Sequence, residues 1–342
     1  MKTCVRRIGG VLILLTAVAR LSAQDAPDSR PTRARVFAAS SFIAFGDWGV
    51  SKELRSNQLA VRDAMRRYVT EHRTDFFVLL GDNFYPNGVE SKDDPQFLEK
   101  FERIYTGAEF DRRFFVTPGN HDYRGDVLAQ RRYGDRNPKW WMPHGPASHP
   151  HGGTLERPCV ELFNIDTERL LASRADRAKD LEVLRVLLRD SRAVWKVAYG
   201  HRPLFSDGGH ADAQKLIGIL APLFVKYGVD FYFSGHDHNM QLIQNRDGLD
   251  RDFTLYAVAG SGGQLSLTMK PSKASLFQRR ALGFAAFRAG ETWADIEFRD
   301  QEGKVLFRGR VRRDDPEKKV EILKQTAADA RTTGIPSADD DD

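Results

Sequence analysis

Five times in this chain a short apolar run ends in a glycine-containing turn that carries polar side chains able to bind a ligand. The turns are "GDWG" (46–49), "GDNFY" (81–85), "GNHD" (119–122), "GHRP" (200–203) and "GHDH" (235–238). The runs ahead of them, 41–46, 75–80, 113–117, 194–199 and 229–234, are rich in Phe, Val, Tyr and Leu and read as strands, as does 160–165. Open α/β sheets bind ligands beyond the carboxyl ends of their strands. Glycine there lets the backbone bend sharply and come close to whatever is bound. The fold must therefore bring five strand ends to one rim.

Longer helix-period segments separate several of these runs. Asp94-Pro95 is an N-cap and first-turn pair ahead of Phe97, Leu98, Phe101 and Ile104. Leu216, Ile219, Leu220, Leu223 and Phe224 form a stripe that stops at Gly228, a helix C′ residue. Leu181, Leu184, Leu187 and Leu188 mark a third amphipathic helix. This alternation implies an α/β fold, with layered, mixed sheets flanked by helices in a single domain over 40–313. Period-2 alternation over 284–313, with turns at Gly290 and Gly303, closes the domain as an antiparallel hairpin or meander. The tail, 314–342, is expected to be a frayed helix followed by disorder.

The opening residues "MKTCVRRIGGVLILLTAVARLSAQ" have the form of a secretory signal peptide, 1–24, followed by a flexible leader, 25–39. The apolar run is too short to span a bilayer comfortably. Secretion or periplasmic export is therefore expected, with no stable membrane anchor after processing. Removing 1–24 leaves 48 basic against 47 acidic residues, so the basic character belongs mostly to the leader and argues against nucleic-acid binding. Cys159 becomes the one remaining cysteine and reads as a small buried hydrophobe.

Singly, the turn residues have ordinary explanations: Asp47 as a helix cap, Asn120 as a turn former, His201 as a satisfied loop histidine. His236 and His238, two apart, point the same way, as two metal ligands or two acid/base groups on one rim would. Together, Asp47, Asp82, Tyr85, Asn120, His201, His236 and His238 supply seven side chains, and the two oxygens of Asp82 can bridge. Such a set suits two ions sharing a carboxylate, an arrangement that hydrolyses phosphate esters.

The sequence resembles the purple acid phosphatases of the calcineurin-like metallophosphoesterases, over about 41–262. The likeness is closest to the small, tartrate-resistant type, in "GDNFYPNGV", "TPGNHDYRG", "KYGVDFYFSGHDHNMQ" and "VAGSGG". The resemblance implies a metallophosphoesterase β-sandwich with Asp47, Asp82, Tyr85 and His238 on a first iron. It implies Asp82, Asn120, His201 and His236 on a second ion. Charge counting agrees: carboxylate and phenolate suit Fe(III) at the first site, and neutral donors suit divalent Fe, Zn or Mn at the second. His121 is then expected to face the phosphate and protonate the leaving group, with His210 a second histidine on the substrate side. Asp122 is expected to orient a neighbouring histidine. Trp140, Trp141 and His144 belong either to a substrate rim or, for the tryptophans, to the core.

The function so implied is an exported acid phosphatase in which a hydroxide on the two metals attacks the phosphorus of small-molecule monoesters. Two alternatives share the ligand set: a phosphodiesterase or nucleotide pyrophosphohydrolase of the same fold, and a non-catalytic phosphate- or metal-binding protein.

Overall fold

The structure is a computed structural model that describes residues 37–244, 254–266, 268–269, 274–315 and 320–326. The expected signal peptide, nearly all of the leader and the end of the tail lie outside these residues. No helix among the described residues is long and apolar enough to cross a membrane.

The order of the layers follows the order of the chain. Strands β1 (Ser40–Phe45), β2 (Phe76–Leu80), β3 (Phe114–Thr117) and β4 (Trp140–Trp141) lie parallel, side by side. The chain then builds a second sheet from β5 (Ala147–His151), β6 (Val160–Asn164), β7 (Trp195–Tyr199), β8 (Phe231–Ser234), β9 (Met240–Gln244), β10 (Leu255–Ala259) and β11 (Ser275–Arg279). Their spatial order is β11-β9-β10-β8-β7-β6-β5. It returns to the edge of β1 as an antiparallel meander of β12 (Gly283–Ala289), β13 (Trp293–Asp300), β14 (Val305–Arg312) and β15 (Glu321–Gln325). The result is a mixed eight-stranded sheet facing a mixed seven-stranded one.

Most strands are apolar on both sides because each sheet is covered on both sides. Phe42 and Ala44 of β1 join the cluster between the sheets, where Phe42 meets Phe233 edge-on at 5.3 Å and Phe287 meets Phe231 at 4.9 Å. Their neighbours Ile43 and Phe45 point to the other face, onto Val61, Ala64 and Met65 of helix α1 (Arg55–Glu71). After two short helices, α2 (Val127–Tyr133) and α3 (Thr167–Ala172), the outer face of the second sheet is covered by α4 (Arg174–Asp190) and α5 (Gln214–Tyr227). Leu184, Leu188, Leu216, Leu220 and Phe224 pack there on Phe163 and Tyr232.

The strand runs and the closing meander read from sequence are present within about two residues. Gly228 ends α5 in the left-handed region, φ 65°, as the stripe implied, and a Cβ built there meets nothing within 4 Å. Gly228→Ala is therefore expected to cost about 1 kcal/mol, from backbone strain alone. Chemical denaturation should show that loss while turnover stays at the parent level.

One reading needs correction, and two are made more specific. The helix expected after Asp94 begins there, with Asp94 Oδ1 accepting from Gln96 N at 2.9 Å, but it widens at once into a π turn, Phe97–Glu102. Phe97, Lys100 and Phe101, spaced i, i+3, i+4, all face inward. The first part of the tail is strand β15, paired with β14, and not a frayed helix. Trp140 is a core residue on β4, packed against Phe97 and Phe101, while Trp141 is half-buried on Phe115 and His144 is exposed.

Candidate metal centre

β1, β2 and β3 are mutually parallel, as are β7 and β8, so their carboxyl ends deliver the five turns to one edge of the sandwich. Main-chain bonds tie the turns together: Asp47 N donates to Gly81 O at 3.0 Å, and Gly235 N to His201 O at 2.9 Å. Asp47, Asp82 and His236 each follow a turn glycine and hold positive φ, 57°, 50° and 67°. Such backbone is strained for a residue with a Cβ, and the packed turns on both sides hold it in place.

All seven candidate ligands converge. Tyr85 Oη lies 3.0 Å from Asp47 Oδ1, Asp82 Oδ2 and His238 Nε2, and His238 Nε2 is 3.4 Å from Asp47 Oδ1. On the other side of Asp82, His201 Nε2 is 3.4 Å from Asp82 Oδ2, 3.0 Å from Asn120 Oδ1 and 3.2 Å from His236 Nδ1. The ligand atoms of Asp82, His201 and His236 all lie within 4.8 Å of one another. Adjacent donors around an ion with bonds of ~2.1 Å stand about 3 Å apart, so these spacings fit coordination without rebuilding. The donor set fits as well, since carboxylates, a phenol and imidazoles buried together need a cation.

The charges show the same need. Burial opposes ionisation of Asp82, yet His201, His121 and His236 beside it hold its carboxyl well below the usual range. Burial, Asp47 and Asp82 together push the Tyr85 phenol well above its ordinary value. Burial disfavours a charged His201, but Asp82 overrides it and lifts the imidazole to about 10. Burial, with His201 and Arg202 nearby, pushes His236 far down. Without a metal, the site thus keeps Tyr85 as a phenol and puts a proton on His201 where a cation would sit.

The surrounding shell sets the tautomers. His201 Nδ1 lies 2.9 Å from Leu80 O, so this carbonyl takes its proton and Nε2 faces Asp82. His121 Nδ1 lies 2.6 Å from Pro86 O, which turns Nε2 to within 4.0 Å of Asp82 Oδ2. The His210 ring packs at a tilt against His236, centroids 4.0 Å apart, and places Nδ1 2.8 Å from Asp237 Oδ1.

Asp122 does not orient a histidine. Its carboxylate accepts from Asn83 N, Phe84 N and Gly119 N, and from the side-chain amides of Asn83 and Gln130. It thereby fixes the backbones of two turns, and burial beside Asp82 raises it to about 7. The residue that holds a histidine is Asp237, inside "GHDH", whose other oxygen accepts from Ser206 Oγ. Sequence reasoning passed over Asp237, although its alternation with His236 and His238 puts it on the opposite side of the strand end. Arg202 was also missed; it reaches His236 Nε2 at 3.1 Å while paired with Glu168.

Gly119 marks how little slack the site has. A Cβ there would stand 2.2 Å from Asp82 Oδ1 and 2.8 Å from His201 Cε1. Gly119→Ala is expected to displace both side chains and lower metal retention about 10–100-fold, as misplaced ligands do, read by dialysis against a competing chelator.

Comparison with known proteins agrees with this geometry. Residues 40–240 match the calcineurin-like phosphoesterase family. The chain is 32% identical over 290 residues to purple acid phosphatase 17 of Arabidopsis thaliana, covering 78% of this chain and 83% of that protein. It is 29% identical over 309 residues to tartrate-resistant acid phosphatase type 5 of Homo sapiens, covering 80% and 91%. Among solved structures, GAP50, the anchor in the inner membrane complex of Plasmodium, superposes with a TM-score of 0.71 at 23% identity, covering 85% of this chain and 91% of that one, a likeness of fold alone. The chain is thus a metal-dependent phosphoesterase that belongs to the calcineurin-like phosphoesterases and, among them, to the purple acid phosphatases.

Proposed function

We propose that this chain is an exported acid phosphatase with a dinuclear metal centre that hydrolyses small-molecule phosphate monoesters. The observation that carries the reading is the position of Asp82, whose Oδ2 is 3.0 Å from Tyr85 Oη on one side and 3.4 Å from His201 Nε2 on the other. In this reading Asp47, Asp82, Tyr85 and His238 hold Fe(III), and Asp82, Asn120, His201 and His236 hold a divalent Fe, Zn or Mn ion. Bound there, the two ions supply Lewis-acid activation of water and of the phosphoryl oxygens.

The protein's own residues do the rest. The carbonyl of Leu80 keeps the Nε2 lone pair of His201 directed inward. The carbonyl of Pro86 holds His121 Nδ1, so that Nε2, when protonated, can give its proton to the departing oxygen. His210, braced by Asp237, supplies a second imidazole at the rim. Export rests on the basic-then-apolar pattern of residues 1–24.

The test is the rate of hydrolysis of an aryl phosphate and of the matching bis-aryl phosphate, in mild acid, with and without a chelator. The monoester should be cleaved faster by at least two orders of magnitude, and prolonged chelation should abolish both rates. Faster diester cleavage would assign the protein to the phosphodiesterase alternative, and no cleavage of either ester would assign it to the binding-protein alternative.

A further inference from the structure

The turn that carries Tyr85 is pinned from behind by a buried charge. Lys100, on the inward face of the π turn Phe97–Glu102, is buried, and its Nζ donates to Tyr85 O at 2.6 Å. Burying an ammonium is costly unless it is bonded, and here the acceptor is a main-chain carbonyl at a decisive place. Tyr85 N is already fixed to Gly49 O at 3.0 Å, and the next residue, Pro86, has no N–H with which to hold its own peptide. The Lys100 backbone is anchored in turn, since Gln58 Nε2 donates to Lys100 O at 2.9 Å.

The peptide that Lys100 holds has a functional group at each end. Tyr85 Oη points to Asp47 and Asp82, and Pro86 O holds His121 Nδ1 at 2.6 Å. The Tyr85 and His121 rings lie 4.3 Å apart. A tilt of the Tyr85-Pro86 peptide would thus move the phenol and the imidazole together. We propose that Lys100 is a positioning residue that sets the aim of both Tyr85 and His121 through the one carbonyl it grips. The proposal deepens the phosphatase reading above and rests on its roles for Tyr85 and His121.

The test compares the parent holoenzyme with Lys100→Met, which keeps the length and removes the donor, and with Lys100→Arg, which restores a cationic donor. Lys100→Met is expected to retain both metals and its KM, with kcat for an alkyl phosphate down about 10–100-fold, as a displacement of the order of an ångström costs. The loss on an aryl phosphate, whose leaving oxygen needs little protonation, should be several-fold smaller. The visible band of the iron–phenolate pair should move in Lys100→Met and return in Lys100→Arg, with most of kcat. If Lys100→Met does not fold, Lys100→Gln, a neutral donor with a shorter reach, should give the same split to a smaller degree.

A folded Lys100→Met or Lys100→Gln with parental kcat on both esters and an unmoved band would overturn the proposal. An equal loss on both esters with an unmoved band would also overturn it, as that is the mark of a merely structural residue. A parent enzyme with no visible band at all would instead count against the role of Tyr85, and the alkyl-to-aryl split would still decide whether Lys100 aims His121.

Discussion

Asp82→Ala is expected to lose both metals and to slow monoester hydrolysis by roughly four orders of magnitude or more, because it removes the one carboxylate common to both donor sets. Within the described residues, Asp82 Oδ2 stands 3.0 Å from Tyr85 Oη and 3.4 Å from His201 Nε2, while Oδ1 accepts from His121 N at 2.9 Å. Each set left behind has three side chains, and the charge that offset two cations is reduced at their midpoint. The loss should not be one of folding. The substitution leaves the backbone strain at φ 50° in place, and the ionised carboxylate it removes compensates a protonated His201 that burial disfavours, so the imidazole can simply become neutral. Asp82→Asn is the matched control: it keeps the shape, lowers the charge and should retain metal only weakly. Elemental analysis beside a rate measurement checks both variants, and an active Asp82→Ala enzyme would contradict the reading.

His121→Ala should behave in the opposite way, keeping its metals and losing turnover. The His121 imidazole is outside both donor sets, Nε2 being 4.0 Å from Asp82 Oδ2, and its Nδ1 is held by Pro86 O. Loss of a general acid costs about 10²–10⁴-fold when the leaving oxygen must be protonated. The fall should therefore approach the upper end with alkyl phosphates and shrink with aryl phosphates. Metal content and KM should stay near parental values. A uniform loss across leaving groups would assign His121 to binding and not to proton transfer.

The parts of this architecture that were legible in the sequence are those where one residue type has one physical use. A glycine directly after an apolar run, followed by Asp, Asn or His, marks a strand end turned toward a ligand, and all five such turns meet. Gly228 and its leucine stripe located α5 for the same reason. What was not legible depends on three-dimensional neighbours. Asp122 sits beside His121 in sequence, yet main-chain donors from Asn83, Phe84 and Gly119 reach it first. Lys100 reads as a surface residue by its charge, although it shares the inward face with Phe97 and Phe101; the carbonyl of Tyr85 that receives its ammonium comes from a distant turn. β15, "EILKQ", has no buried face to impose a pattern, since all five residues are exposed; it is a strand because β14 offers a ladder to pair with.

The most direct measurement is metal content together with the visible absorption spectrum, on protein lacking residues 1–24 and on its Tyr85→Phe variant. Burial beside Asp47 and Asp82 keeps Tyr85 a phenol in the metal-free protein, so a visible phenolate band requires an ion strong enough to displace that proton. The expected result is two ions per chain, one of them iron, with a broad visible band that disappears in Tyr85→Phe. Two ions without such a band, or a band that survives in Tyr85→Phe, would contradict the assignment of Tyr85 and Fe(III) to the first site.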